Sequence, residues 1–166
     1  MISDFFVTLS INSSVSEKIL TKIKTSSPDQ WTVMLDQSIY KLTVDDFKDD
    51  PDIVELIQYF GASERLSVFR YTENICFQWH KDRIRSSALN MVLAGFDSFC
   101  AFGVLDKGNT FSKITKLEHK PNRYYLMNVK QYHSVFNFSN ERYIISIGLE
   151  QPYEEITAYL NDKNLI

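Results

Sequence analysis

The sequence predicts a mainly β fold in one domain, and three observations carry that prediction. From Arg65 onward, eight short runs rich in β-branched and aromatic residues recur, separated by turn-prone residues. Aromatic residues make up 14% of the chain, twelve Phe and nine Tyr among them, and bulky rings pack well on a pleated surface. The 166 residues suit a single domain with a real core, and five Gly and four Pro leave little composition for a linker.

The first third is mixed. Phe5 to Ile11 reads as a short strand, and Asn12-Ser13-Ser14 offers caps for a helix with Val15, Ile19 and Ile23 at four-residue spacing. Pro28-Asp29 breaks that helix, and Trp31 to Leu35 reads as a strand. Val44 to Phe60 is helical in pattern, with Pro51 in a first turn and Ile53, Ile57 and Phe60 along one stripe. Gly61 ends it.

The eight β-rich runs come next: Leu66–Tyr71, Ile75–His80, Ala88–Leu93, Ser98–Leu105, Thr110–Leu117, Arg123–Val129, His133–Phe138 and Tyr143–Leu149. Between them lie turn signals such as Thr72-Glu73-Asn74, Gly95, Asp106-Lys107-Gly108-Asn109, Pro121-Asn122 and Ser139-Asn140-Glu141. Eight strands so spaced indicate a sandwich or jelly roll rather than alternating β and α units. Tyr153 to Leu160 reads as a closing helix. The expected architecture is a double-stranded β-helix (jelly roll) with an N-terminal helical layer. Residues 1–62 form the mixed helical support, 63–150 the β-helix core, and 151–166 the C-terminal helix and tail.

A formal charge of −3 gives no basic surface for gripping phosphates, so nucleic acid is disfavoured as a partner. Lys81, Arg83 and Arg85 are the one obvious basic cluster. So short a chain leaves little beyond the β-helix for substrate recognition, which favours a small molecule or an exposed peptide side chain. No basic-then-apolar N-terminal segment and no long apolar window are present, so a cytoplasmic protein without membrane contact is expected. Cys76 and Cys100 stand in apolar runs and read as reduced core residues.

Three histidines focus the search for chemistry. His80 and Asp82 stand at i and i+2, so a strand continuing through them presents an imidazole and a carboxylate to one face. His133, opening another strand, is the candidate third ligand. Two histidines and one carboxylate on one side of an octahedral ion leave positions free for a cosubstrate and O₂. His-x-Asp alone is a weak motif, and a lone histidine among apolar residues is more often a packed side chain than a ligand.

Arg142 adds weight. It lies nine residues beyond His133 on the next strand, where its planar fork can reach a dicarboxylate whose other end chelates the ion. Ser146, four residues further, shares that face and can add a hydroxyl. The blander reading of Arg142 is a surface residue paired with Glu141.

Other residues read as non-chemical. His119, among charges before a turn, is expected to be exposed. Trp79 and Lys81 should face away from the metal residues, and Tyr124-Tyr125 should place one ring in and one out. Arg83 and Arg85 can end a strand in solvent or meet an anionic group.

The stretch Tyr71 to Asp82, followed by His133 to Ser146, resembles the Fe(II)/2-oxoglutarate-dependent oxygenase superfamily. Tyr71-x-x-Asn74-x-x-Phe77-x-x-His80-x-Asp82 is similar to the prolyl 4-hydroxylase-like branch. Arg83-Ile84-Arg85, His133-Ser134-Val135-x-Asn137 and Arg142 resemble the aspartyl/asparaginyl hydroxylase-like branch. Asn74 stands where prolyl hydroxylases tend to have Gly, and Phe77 where their 2-oxoglutarate-binding tyrosine stands, so the branch stays open. The resemblance implies Fe(II) on His80, Asp82 and His133, with 2-oxoglutarate reaching Arg142 and O₂ as the oxidant. Asn90, on a core strand expected beside the metal strand, and Arg85 join Ser146 as further pocket candidates. The implied reaction is hydroxylation of a small molecule or peptide side chain, releasing succinate and CO₂. The alternatives are a cupin-like metalloenzyme that uses no 2-oxoglutarate, and a non-enzymatic jelly-roll binding module.

Overall fold

Two antiparallel sheets face each other, and three helices cover the outer side of the larger one. The computed structural model describes residues 3–34, 37–139 and 141–166. The expected turn residue Asn140 and the strand end Leu35 lie outside that range, as do Met1 and Ile2.

Strand β1 (Phe6–Asn12) precedes helix α1 (Ser16–Lys24). Strands β2 (Trp31–Val33) and β3 (Gln37–Lys41) come after it, then helix α2 (Pro51–Tyr59). Next come β4 (Leu66–Thr72), β5 (Ile75–Cys76), β6 (Ser87–Ala94) and β7 (Phe99–Leu105). The last strands are β8 (Phe111–Glu118), β9 (Arg123–Met127), β10 (Tyr132–Asn137) and β11 (Glu141–Leu149), before helix α3 (Tyr153–Asp162). All eight expected runs carry a strand. The larger sheet has the order β1-β9-β6-β11-β4-β3-β2, and the smaller β5-β10-β7-β8. This is the jelly roll, and β1, β2 and β3 from the N-terminal segment extend its larger sheet at both edges.

Period-two alternation sorts the core into two layers. Along β11, Tyr143, Ile145, Ile147 and Leu149 point outward onto α1, α2 and α3, joined by Leu89, Met91, Leu93, Tyr124 and Leu126. The alternate residues of the same strands face the smaller sheet, where Ala88, Tyr125 and Met127 meet Cys100, Phe102 and Leu117. Strands β6 and β11 are thus buried on both faces, which is why their sequences are nearly unbroken apolar runs. Three inward positions break that rule: Asn90, Arg142 and Ser146 are polar and buried.

Several local expectations change. Tyr124 and Tyr125 do point to opposite faces, but both are buried, because each face of β9 packs on its own core layer. The helical pattern from Val44 divides into a 3-10 turn (Val44–Phe47) and α2, with Gly61 at φ +63 after the helix. Ser13 and Ser14 do not cap α1; their hydroxyls bind the buried carboxylate of Asp50, at 2.6 and 2.7 Å. Cys76 is exposed rather than core, because β5 is a two-residue edge strand; Cys100 is buried, and both are free thiols. No helix among the described residues is long and apolar enough to cross a membrane.

Candidate metal and cosubstrate site

The strand expected through His80 and Asp82 stops at Cys76, and the next residues run as extended chain held by a few backbone hydrogen bonds to β10 and the loop before it, including a reciprocal pair between His80 and His133. Phe77 N donates to Val135 O at 2.8 Å, His80 N to His133 O at 3.0 Å, and Asp82 N to Val129 O at 2.9 Å. Cys76 pairs with Phe136 while His80 bridges His133, so four steps on one chain oppose three on the other. That extra residue is a bulge. It sets His80 directly across from His133, with ring centroids 4.3 Å apart. Trp79 turns away onto Phe111 and Phe136, and Lys81 sits over the Tyr132 ring.

His80, Asp82 and His133 converge, each offering one ligand atom within 4.8 Å of the others. Asp82 Oδ1 is 3.5 Å from His80 Nε2 and 3.8 Å from His133 Nε2. The other ring nitrogens are occupied: His80 Nδ1 bonds Gln78 O at 2.7 Å, and His133 Nδ1 bonds Gln131 O at 3.0 Å. A backbone carbonyl can only accept, so each Nδ1 carries the proton and each Nε2 turns a lone pair to the common point.

Electrostatics favour the ligating forms of His133 and Asp82. Burial pushes His133 down to about 4, so it is neutral near pH 7. Burial alone would raise Asp82, but the His80 hydrogen bond and the Arg85 charge outweigh it and hold the carboxyl below its usual range. The Asp82 hydrogen bond raises His80, partly offset by burial.

Behind the triad, a cavity of about 280 Å³ runs between the sheets. Arg142, Asn90, Ser146 and Arg85 all line it, along with Tyr71 and His119. Arg142 is fully buried and makes no salt bridge among the described residues; Glu141 pairs with Arg70 instead, at 2.6 Å. Its Nε and Nη1 have no hydrogen-bond partner. Nη2 lies 3.4 Å from His119 Nδ1, and the guanidinium sits 5.9 Å from the Tyr71 ring centroid. An uncompensated buried guanidinium costs several kcal/mol, and these free donors face the cavity that holds the His-Asp-His cluster.

His119 is buried, against expectation. It stands two residues beyond the buried Leu117, so the period-two pattern of β8 carries it inward while Glu118 points out. Burial and the Arg142 charge hold its pKa well below the ordinary value. Since Nδ1 accepts from Arg142, the proton sits on Nε2, which has no partner and is free to donate. Asn90 also keeps an unpartnered atom, Oδ1, while its Nδ2 meets Met127 Sδ at 3.0 Å. Its strand β6 lies between β9 and β11, not beside the His80 segment as expected.

Arg85 is already engaged. Its Nε donates to Asp82 Oδ2, and Nη1 donates to Ser146 Oγ at 2.6 Å. Tyr71 and His119 are among the pocket residues that sequence reading did not place there. For His119 the alternation Leu117-x-His119 was the available signal.

No protein-family model matches the chain, and no curated relative matches it. Solved structures do. A Pseudomonas putida prolyl-4-hydroxylase matches with a TM-score of 0.63 at 10% identity, covering 88% of this chain and 92% of that one. A Trichoplax adhaerens prolyl hydroxylase, solved with a hypoxia inducible factor oxygen degradation domain peptide fragment, gives 0.62 at 14% identity, covering 93% and 88%. HygX from Streptomyces hygroscopicus, solved with nickel, 2-oxoglutarate and hygromycin B, gives 0.56 at 10%, covering 89% and 82%. The chain shares the fold of these proteins.

Proposed function

We propose that this protein is an Fe(II)/2-oxoglutarate-dependent oxygenase, a single catalytic domain that hydroxylates a small molecule or peptide side chain. The observation that carries the reading is Arg142: a fully buried guanidinium with two unpartnered nitrogens, in the same cavity as a His-Asp-His cluster. The fold neighbours support it, since HygX was solved with 2-oxoglutarate and a metal bound. A cupin-like enzyme without 2-oxoglutarate leaves Arg142 without a partner. A non-enzymatic module gives no reason for three ligand atoms to converge.

In this reading His80 and His133 hold the metal through Nε2 and Asp82 through its carboxylate. Bound iron, with 2-oxoglutarate and O₂, would supply the oxidising power, yielding succinate and CO₂ as a C–H bond is hydroxylated. The protein's own residues bind, orient and exclude water. Arg142 receives the far carboxylate of 2-oxoglutarate by charge-assisted hydrogen bonds, and His119 Nε2 adds a neutral donor. Ser146 and Asn90 line the route between that carboxylate and the metal, and the Tyr71 ring covers the guanidinium. Arg85 fixes the Asp82 carboxylate, leaving Oδ1 toward the metal.

Incubation with Fe(II), ascorbate and 2-oxoglutarate should give slow uncoupled succinate formation that requires His80, Asp82 and His133. Succinate formation at the background rate of free iron would refute the assignment.

A further inference from the structure

Asp82 stands between two spaces. Inward is the 280 Å³ cavity; outward is a second cleft of about 480 Å³, and the two share Phe69, Asp82, Arg85 and Ser146 as common walls. The outer cleft is cationic. Among its described lining residues, Lys41, Arg65, Arg83 and Arg85 supply four of ten, and Asp82 is the only acid. That charge opposes the whole chain, whose formal charge is −3.

The four cations are not equally engaged. Arg65 pairs with Glu150 and Arg85 with Asp82, whereas Lys41 and Arg83 form no ion pair among the described residues and are exposed. Register explains how Lys41 reaches the site. Lys41 pairs with Ser67, Ser67 with Ser146, and Ser146 with Asn90, so one row crosses β3, β4, β11 and β6 from the cleft rim to the inner cavity. Metal ligation would neutralise Asp82 and leave the cleft positive. A concave wall of one sign concentrates counter-charged ligands.

Resting on the oxygenase reading above, we infer that the outer cleft receives the anionic group of a small-molecule substrate, a carboxylate or phosphate held by Lys41 and Arg83. The bound molecule then has Asp82 and the metal cluster at the inner end of its cleft. The cleft's size suits a small molecule, and the net negative chain disfavours an extended polyanion.

The test uses the full chain loaded with Mn(II) and saturating 2-oxoglutarate under low salt, so that probes do not compete for Arg142. Binding of four probes is measured by ligand-detected NMR: N-acetyl-L-glutamate, its dimethyl ester, O-phospho-L-serine and L-serine. The expected result is at least about tenfold tighter binding of an anionic probe than of its neutral counterpart. The first pair reports a carboxylate preference and the second a phosphate preference. The double variant Lys41→Gln/Arg83→Gln should lose that preference while its melting temperature shows it folded. Equal or absent binding within both pairs, or an unchanged preference in a folded double variant, overturns the inference. Binding of 2-oxoglutarate to the Mn(II)-loaded wild type, read in parallel, separates the two failures: its absence overturns the oxygenase reading itself.

Discussion

Arg142 Nη2 lies 3.4 Å from His119 Nδ1, a buried cation set against a buried neutral imidazole, and no acidic side chain forms an ion pair with that guanidinium among the described residues. Burial disfavours the charge, and desolvation lowers the Arg142 pKa from its ordinary value. Under the proposed function, the far carboxylate of 2-oxoglutarate supplies the counter-charge.

The substitution Arg142→Met should therefore separate stability from function. Removing an uncompensated buried charge should leave the ligand-free protein at least as stable, by about 1 kcal/mol or more. The same change should weaken 2-oxoglutarate binding by roughly 30- to 100-fold, the worth of a charge-assisted pair. Thermal melts with and without 2-oxoglutarate read both effects: the variant melts no lower than wild type alone, and 2-oxoglutarate no longer raises its midpoint.

The buried histidines set a pH dependence for the metal-free protein. His133 is pushed down to about 4 and His119 well below its ordinary value, whereas in the unfolded chain both take up protons near pH 6.5. As pH falls from about 6.5 to 4, the unfolded chain binds more protons than the native one, so stability falls. Asp82, held low, adds loss below about pH 4. His80, raised, works oppositely and its contribution fades as pH rises through its folded value. Two lowered histidines outweigh one raised. Urea midpoints should drop between pH 7 and 5 with a slope of up to about 1.4 kcal/mol per pH unit per net proton, and His119→Gln should flatten it. A flat wild-type profile would contradict the assigned burial.

Gly95 couples β6 to Arg142. It sits at φ +86, and a Cβ there would lie 2.6 Å from Glu141 O and 2.7 Å from Arg142 Cα. Both are backbone atoms, so Gly95→Ala must displace the start of β11. We expect a loss of at least ~2 kcal/mol in unfolding free energy together with weakened 2-oxoglutarate binding, although Gly95 touches no ligand. An alanine variant as stable as wild type would refute the close approach.

The thiols differ sharply. Cys100 is buried in the cavity wall and pushed up to about 12 by desolvation, while Cys76 is exposed on the edge strand β5. A thiol reagent near neutral pH should titrate one group per native chain and a second only on unfolding. Cys76→Ser should abolish the fast phase.

The strands are legible because each is a short run with local turn punctuation, and β6 and β11 are nearly unbroken apolar runs, as strands buried on both faces are. The metal candidates are legible as residue types, though not through the geometry expected. A bulge after Cys76, rather than a continuing strand, puts His80 opposite His133, and a bulge depends on the partner strand as much as on its own residues. His119 reads as exposed because its neighbours Glu118 and Lys120 are charged, whereas the alternation from Leu117 decides where its side chain points. Cys76 misleads for the opposite reason: its apolar neighbours suggest core, but its strand is short and at an edge. The bond from Arg85 to Ser146 spans 61 positions of sequence and leaves no local trace, whereas its Asp82 partner stands only three residues away.

The central claim is that the triad and Arg142 act as one site, and calorimetric titration of 2-oxoglutarate tests it most directly. Binding should require Mn(II) on the wild-type chain. It should vanish in His80→Ala because the metal is lost, and vanish or weaken at least about 30-fold in Arg142→Ala while Mn(II) still binds. Binding of 2-oxoglutarate that is indifferent to both the metal and Arg142, or no binding to the Mn(II)-loaded wild type, would contradict the account.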